Sequence, residues 1–370
     1  MNQPDPDKLA KLDPALTHYY PDAPVVNEAG WGPAPGILRA LLSGEPRDAD
    51  IDWRGLLGSA RNEGIINFVT FRALQAGLTV PGEISLQMRH SLMTGEADKL
   101  SGDFELARIF AAADEAGLRL LLIKGEALAR TIYPSGACRP SGDFDLLMDT
   151  VQLELGEQVM AELGYTPGAF EGVHMFGQRT WQGRDQGRPF VVDLHWDLTN
   201  RRFFRNRLSV DTLLDRAQQL PLPDGCAWIP TTRDALLIAC VHLAAAKPHM
   251  PVDLRWLLDI FLLLDELEQA QFNALVAEAR DTGLVDVLAN YCGLADRVLG
   301  PCRHRGGILE LVSRIDPARK RQYQRCCEQR WYDLLEYGRR LPGWKQRSEL
   351  LRQTLPYVFS RLGRSSDGPV

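Results

Sequence analysis

The chain has 370 residues, a formal net charge of -6 with histidine neutral, 45% hydrophobic and 24% charged residues, values that exclude a disordered or fibrous chain and exceed one compact domain. Two packed domains, or one with a large helical extension, are expected. The acidic balance and the lack of a long basic tract argue against long nucleic acid as a partner, since that binding relies on clustered Lys and Arg, and favour a small molecule.

In chain order, residues 1–33 carry Pro4, Pro6, Pro14, Pro21, Pro24 and Pro33 with little periodicity, the profile of a flexible arm. From 34 to 116 the apolar residues recur at helical spacing, ending at the Gly117 stop signal. Within this helical region, Leu100, Phe104, Leu106, Ile109 and Phe110 are expected on one buried stripe. Residues 117–230 form an α/β core: strands are predicted at 118–123, 143–148, 173–181 and 190–195, with helices at 126–132 and 151–163 between them. From 231 to 370 the chain is helical, at 235–246, 254–267, 272–282, 285–299, 320–339 and 347–362, with prolines mostly near the joints. The fold class is therefore α+β, a small mixed sheet flanked by helical N-terminal and C-terminal regions.

Seven cysteines, an odd number with no CxxC pair, disfavour a disulfide framework and a structural zinc site and suit reduced thiols. The N-terminus lacks a basic and then apolar leader, and no run of eighteen apolar residues occurs. No signal peptide or membrane span is expected, and a cytoplasmic location is. Arg201, Arg202, Arg205 and Arg207 read as a solvated loop.

Asp143 and Asp145 stand at i and i+2 on a predicted strand, so both side chains emerge on one face and Phe144 on the other. Two carboxylates aimed at one spot need a cation to stay ionised together, and this spacing suits one Mg²⁺ (or Mn²⁺) or a pair of ions. Lys124 and Gly125 end a strand ahead of a helix, a place that presents backbone N–H groups to a phosphate, with Gly125 admitting close approach. Arg139 and Ser141 add a guanidinium fork and a hydroxyl for phosphate oxygens. Asp193, on a later strand, supplies a third carboxylate as metal ligand or base. His195, on the same face, either orients Asp193 or contacts substrate. Asp149 and Asp197 read as loop or cap residues, and His242, Lys247, His249 and Arg255 as helix packing around Pro248.

Lys124-Gly125, Tyr133-Pro134, the run from Arg139 through Asp143-Phe-Asp145, Gly164-Tyr165, Val192-Asp193-Leu-His195-Trp196, His242, and Leu254 through Asp259 together resemble a bacterial uncharacterised nucleotidyltransferase family within the DNA polymerase β-like superfamily. The resemblance spans about 100–267. It implies a mixed sheet bearing a metal triad, followed by helices, and transfer of an NMP group from an NTP. Most of that superfamily has Gly-Ser where this chain has Lys124-Gly125. The leading expectation is transfer to a hydroxyl or phosphate of a small-molecule acceptor, with Asp143, Asp145 and Asp193 both catalytic and metal-binding. The alternatives are a toxin-like transferase acting on tRNA or protein, and a nucleotide-binding module without turnover.

Overall fold

The computed structural model describes residues 31–44, 51–168, 177–185, 188–199, 201–245 and 252–328, with scattered positions between 335 and 348. Helices α1 (Ala34–Ser43), α2 (Trp53–Asn62) and α3 (Ile66–Gln75) precede α4 (Gly82–Ala116), 35 residues long and ended by Gly117 with φ 71°. The sheet elements follow: β1 (Leu121–Ile123), α5 (Lys124–Thr131), β2 (Phe144–Leu147), α6 (Leu153–Glu162), β3 (Thr166–Pro167), β4 (Gln178–Asp185) and β5 (Arg188–His195). After α7 (Val210–Asp215) and the hairpin β6 (Gln218–Leu222) and β7 (Gly225–Ile229), helices α8 (Thr232–Ala245), α9 (Leu254–Glu266), α10 (Gln269–Asp281), α11 (Val285–Leu299), α12 (Arg305–Val312) and α13 (Pro317–Glu328) complete the described chain.

The architecture is α+β. The five-stranded sheet has the order β1-β2-β5-β4-β3. Only β2 and β5 run parallel, and the remaining pairs are antiparallel. Because side chains alternate along a strand, the sheet has two different faces. Phe144, Leu146, Phe190, Val192 and Leu194 pack on one side against Leu106, Ile109 and Phe110 of α4 and Val159 and Met160 of α6. Leu121, Ile123 and Leu147 belong to the other side, in a core shared by α1 to α3 and α8 to α12. The carboxylates of β2 and β5 point toward that second, helical side.

Several expectations shift. Of the arm expected at 1–33, residues 1–30 lie outside the described residues, and Trp31 is buried. Leu100 and Phe104 are 56% and 51% exposed, so they leave the expected stripe. The inward line of α4 instead runs through Lys99, Gly102, Leu106, Ile109, Phe110 and Ala113, because α5 presents charged partners there: Lys99 pairs with Glu126, and Asp103 with Arg130. Of the third predicted strand, 173–176 lie outside the described residues, and the observed strand runs over Gln178–Asp185; of the helix predicted at 347–362, 349–362 lie outside them. The Arg201 to Arg207 stretch is not a solvated loop. Phe203, Phe204 and Arg205 are buried, and Arg207 donates to the Thr282 carbonyl at 3.0 Å. There the guanidiniums satisfy carbonyls that would otherwise be orphaned. Asp149 caps its turn as expected, accepting from the Val151 amide at 3.0 Å.

Candidate functional site

The parallel register of β2 and β5 sets Asp145 directly beside Asp193. Antiparallel pairing sets Ile123 against Asp145, so the chain leaving β1 passes over the carboxylates. There Lys124 adopts φ 56°, a left-handed conformation that a side-chain-bearing residue enters only at a cost. The turn delivers its ammonium to Asp145: Nζ donates to Oδ1 at 2.7 Å. His195 Nε2 lies 2.8 Å from the same oxygen. Without a cation the tautomer with a proton on Nε2 fits best, since Nδ1 is buried without a partner and a bare lone pair there is cheaper to leave unmet than an N–H; ligation of a cation through Nε2 would use the other tautomer, with Nε2 bare beside the Lys124 ammonium at 3.3 Å.

The donor atoms of Asp145, Asp193 and His195 lie within 4.8 Å of one another, a spacing one divalent cation spans. Asp143 lies outside that cluster, although its carboxyl is close enough to feel both Asp145 and Asp193. The expectation of three convergent aspartates thus meets a cluster of two aspartates and a histidine with Asp143 beside it. The long imidazole of His195, anchored opposite Leu147, reaches back along the strand to Asp145. Asp193 is held from β4: Thr180 Oγ1 donates to Oδ1 at 2.5 Å and Gln178 Nε2 to Oδ2 at 3.2 Å.

The charges are unevenly relieved. Burial pushes the Asp145 carboxyl up, but Lys124 and His195 outweigh it and hold it well below the usual carboxylate range. For Asp143 the balance goes the other way: burial first, then Asp145 and Asp193, push it up to about 6, with Lys124 and Ser141 offsetting only part of the rise. His195 is pushed down by burial and by Lys124 and is neutral at pH 7. His242, on α8, is pushed down to about 3 by the same two causes in that order. It stands edge-on to Trp256 with ring centroids 4.8 Å apart, the packing role expected of it. Lys247 and His249 lie outside the described residues.

Two expected phosphate contacts are differently employed. Arg139 was expected to offer its fork to phosphate. Instead Nε and Nη2 donate to the two oxygens of Asp259 on α9 at 3.1 and 2.7 Å, Tyr133 Oη donates to the same carboxylate at 2.7 Å, and all three residues are buried. The fork holds α9 to the loop before β2. The need for glycine at 125 has a matching cause: a Cβ there would stand 2.6 Å from Ser141 Oγ and 2.7 Å from Arg139 Nη1, so the residue admits this loop at close range. In the sequence the one signal for Asp259 is a lone carboxylate within the apolar run Leu257-Leu-Asp259-Ile-Phe261. Ser141 Oγ lies 3.4 Å from Asp143 Oδ1, at the edge of the carboxylates.

The raised Asp143 carboxyl gives a signed pH dependence. A folded-state value above the unfolded one means the fold favours the neutral acid. Its contribution to stability is complete below about 3.8 and is lost as pH rises through about 6. Asp143→Asn, which cannot ionise, is expected to leave the metal-free protein about 1 to 3 kcal/mol more stable than the parent at pH 7.5, with the difference vanishing near pH 4. Urea melts of both proteins across that range check this; a variant less stable at pH 7.5 would contradict the crowding of charge.

A family model described as uncharacterised nucleotidyltransferase matches residues 49–300, more than half of the chain, and spans every residue of the cluster. No curated protein and no solved structure gives a significant match. On the family match, the chain belongs to the uncharacterised nucleotidyltransferase family.

Proposed function

We propose that the chain is a divalent-metal-dependent nucleotidyltransferase that moves an NMP group from an NTP to a hydroxyl or phosphate of a small-molecule acceptor. The observation that carries this reading is the convergence of Asp145, Asp193 and His195 within 4.8 Å, beside Asp143, in a chain of this family. The donor set fits a cation. Two carboxylates on neighbouring strands repel unless a positive charge lies between them, and only one of them has a lysine at hand. A bound Mg²⁺ or Mn²⁺ would supply charge neutralisation for the triphosphate and polarise the attacked phosphorus. The carboxylates in the set suit Mg²⁺ or Mn²⁺.

The chain's own residues divide the remaining work. Asp143, Asp145 and Asp193 hold the charge that positions the triphosphate, with His195 fixing Asp145. Lys124 turns from Asp145 to a phosphate oxygen, and Ser141 offers its hydroxyl. In the transfer, the acceptor oxygen bonds to the α-phosphorus as the bond to the pyrophosphate oxygen breaks, and the acceptor proton passes to an ionised carboxylate. Asp143, beside the cluster and outside its donor set, is the group suited to receive it. The charge of the protein favours a small acceptor over tRNA, and a cytoplasmic site of action goes with this reading.

The test uses NTP labelled in the α-phosphate, incubated with Mn²⁺ or Mg²⁺ against pooled metabolites, tRNA and protein. Label transferred to a small molecule with stoichiometric pyrophosphate is the expected result. Label on tRNA or protein would favour the toxin-like class, and metal-dependent NTP binding without pyrophosphate the non-catalytic module.

A further inference from the structure

We propose that a cleft at the N-terminal ends of β2 and β5, walled by α4, is the acceptor pocket, and that it takes a neutral or cationic polyhydroxylated small molecule. This deepens the transfer reading and rests on it. The cleft is lined by Lys99 on α4, Glu126 on α5, Ser141, Gly142 and Asp143 on the loop entering β2, and Arg188 at the start of β5. Lys124, Asp145, Asp193 and His195 do not line it. Asp143, beside the cluster, is therefore the one member of the expected triad that lines this cleft, and a molecule seated there meets the reacting centre at that carboxylate.

The lining specifies the chemistry of the occupant. Its charged wall is buried: Glu126 is 4% exposed and Lys99 9%, and the two are joined in an ion pair. An apolar occupant would cut the ion pair and the Ser141 hydroxyl off from water without offering them a further polar contact, at a cost in desolvation. Hydroxyl groups, each a donor and an acceptor, satisfy both the ammonium and the carboxylate. An anion is disfavoured. The cleft presents three carboxylates, Asp98, Glu126 and Asp143, against two cations, Lys99 and Arg188, and both cations are already engaged, Lys99 with Glu126 and Arg188 with Asp98. A triphosphate would face the Asp143 carboxylate here with both lining cations already engaged, whereas an amine or a neutral polyol would meet no such repulsion. The NTP is thus left to the Lys124 side and the acceptor to this one.

Gly142 offers a lever on the cleft that spares the packing. A Cβ built on it meets nothing within 4 Å and its backbone lies outside the left-handed region, so a side chain there fills open space without strain. Saturation-transfer NMR with three probes, ribitol (neutral), glucosamine (cationic) and gluconate (anionic), tests the assignment on the full chain. Ribitol or glucosamine is expected to bind in the millimolar range and gluconate not to bind. Gly142→Val, melting within a few degrees of the parent, is expected to weaken that binding at least tenfold; should it fail to fold, Gly142→Ala is expected to weaken it about threefold. MgATP is expected not to displace the bound probe. No binding of either ribitol or glucosamine, equal binding of gluconate, unchanged binding to the folded Gly142 variant, or competition by MgATP would each overturn the proposal. A parent that binds the probe in a Gly142-dependent way yet releases no pyrophosphate from NTP keeps the pocket as a polyol site and removes the transfer reading.

Discussion

Asp145→Asn is expected to lower metal-dependent NTP turnover by at least about 10² to 10³-fold, the scale of losing one group that acts on transition-state charge, and to destabilise the metal-free protein by about 1 to 3 kcal/mol. The second effect follows from the partners of this carboxylate. It accepts from Lys124 at 2.7 Å and lies 2.8 Å from His195 Nε2, and Lys124 and Asp145 have side-chain exposures of only 13% and 10%. A neutral amide leaves the lysine half-buried without its counter-charge. Asp143→Asn, two residues away on the same face, is expected to move stability the other way, because its ionised form is disfavoured by burial and then by the like charges of Asp145 and Asp193. Denaturant melts of the two variants in chelator, with pyrophosphate release measured beside them, check both signs. Equal effects on stability would mean that Lys124 does not select between the carboxylates.

Arg139→Ala is expected to cost about 3 to 5 kcal/mol of stability, the range for removing one partner of a buried ion pair. Asp259 would be left with its bidentate partner gone, buried at 3% exposure, and Tyr133 would face a carboxylate that nothing neutralises. Asp259→Ala is expected to cost as much. The double replacement Arg139→Met with Asp259→Leu should recover most of the loss, since two apolar groups of similar volume leave no buried charge. A double-mutant cycle by urea denaturation measures the coupling. Were the Arg139 fork a solvent-facing phosphate clamp, Arg139→Ala would instead leave stability within about 1 kcal/mol of the parent and raise KM for NTP.

The strands that carry the chemistry were legible because their patterns are local. Alternation of Asp143, Phe144, Asp145 and Leu146 and the apolar run 190–195 with its single Asp193 each specify a face, and the structure places β2 and β5 accordingly. The hairpin β6 and β7 was missed because its alternation, with Leu220 and Ala227 inward, is short and broken by Pro221 and Pro223. The exposure of Leu100 and Phe104 was illegible for a different reason. Which face of a long helix turns inward depends on distant partners, and Glu126 and Arg130 draw Lys99 and Asp103 to the inner side. The same holds for Arg139. A lone arginine before two aspartates gives no hint that a carboxylate 120 residues away on α9 will bind it. Lys124 was legible as a cation near the site, but its turn toward Asp145 depends on the left-handed backbone at that residue, which no residue-type preference foretells.

The presence of a divalent-metal site at this cluster is tested most directly by titrating Mn²⁺ into the chelator-treated protein and following free Mn²⁺ by electron paramagnetic resonance. The expected result is saturable binding by the parent that is strengthened by NTP, is lost in Asp145→Asn and in Asp193→Asn, and shows a nitrogen coupling in pulsed spectra that disappears in His195→Ala. A parent that binds no Mn²⁺ even with NTP present, or an Asp145→Asn variant that binds it as the parent does, would contradict a metal centre at Asp145, Asp193 and His195.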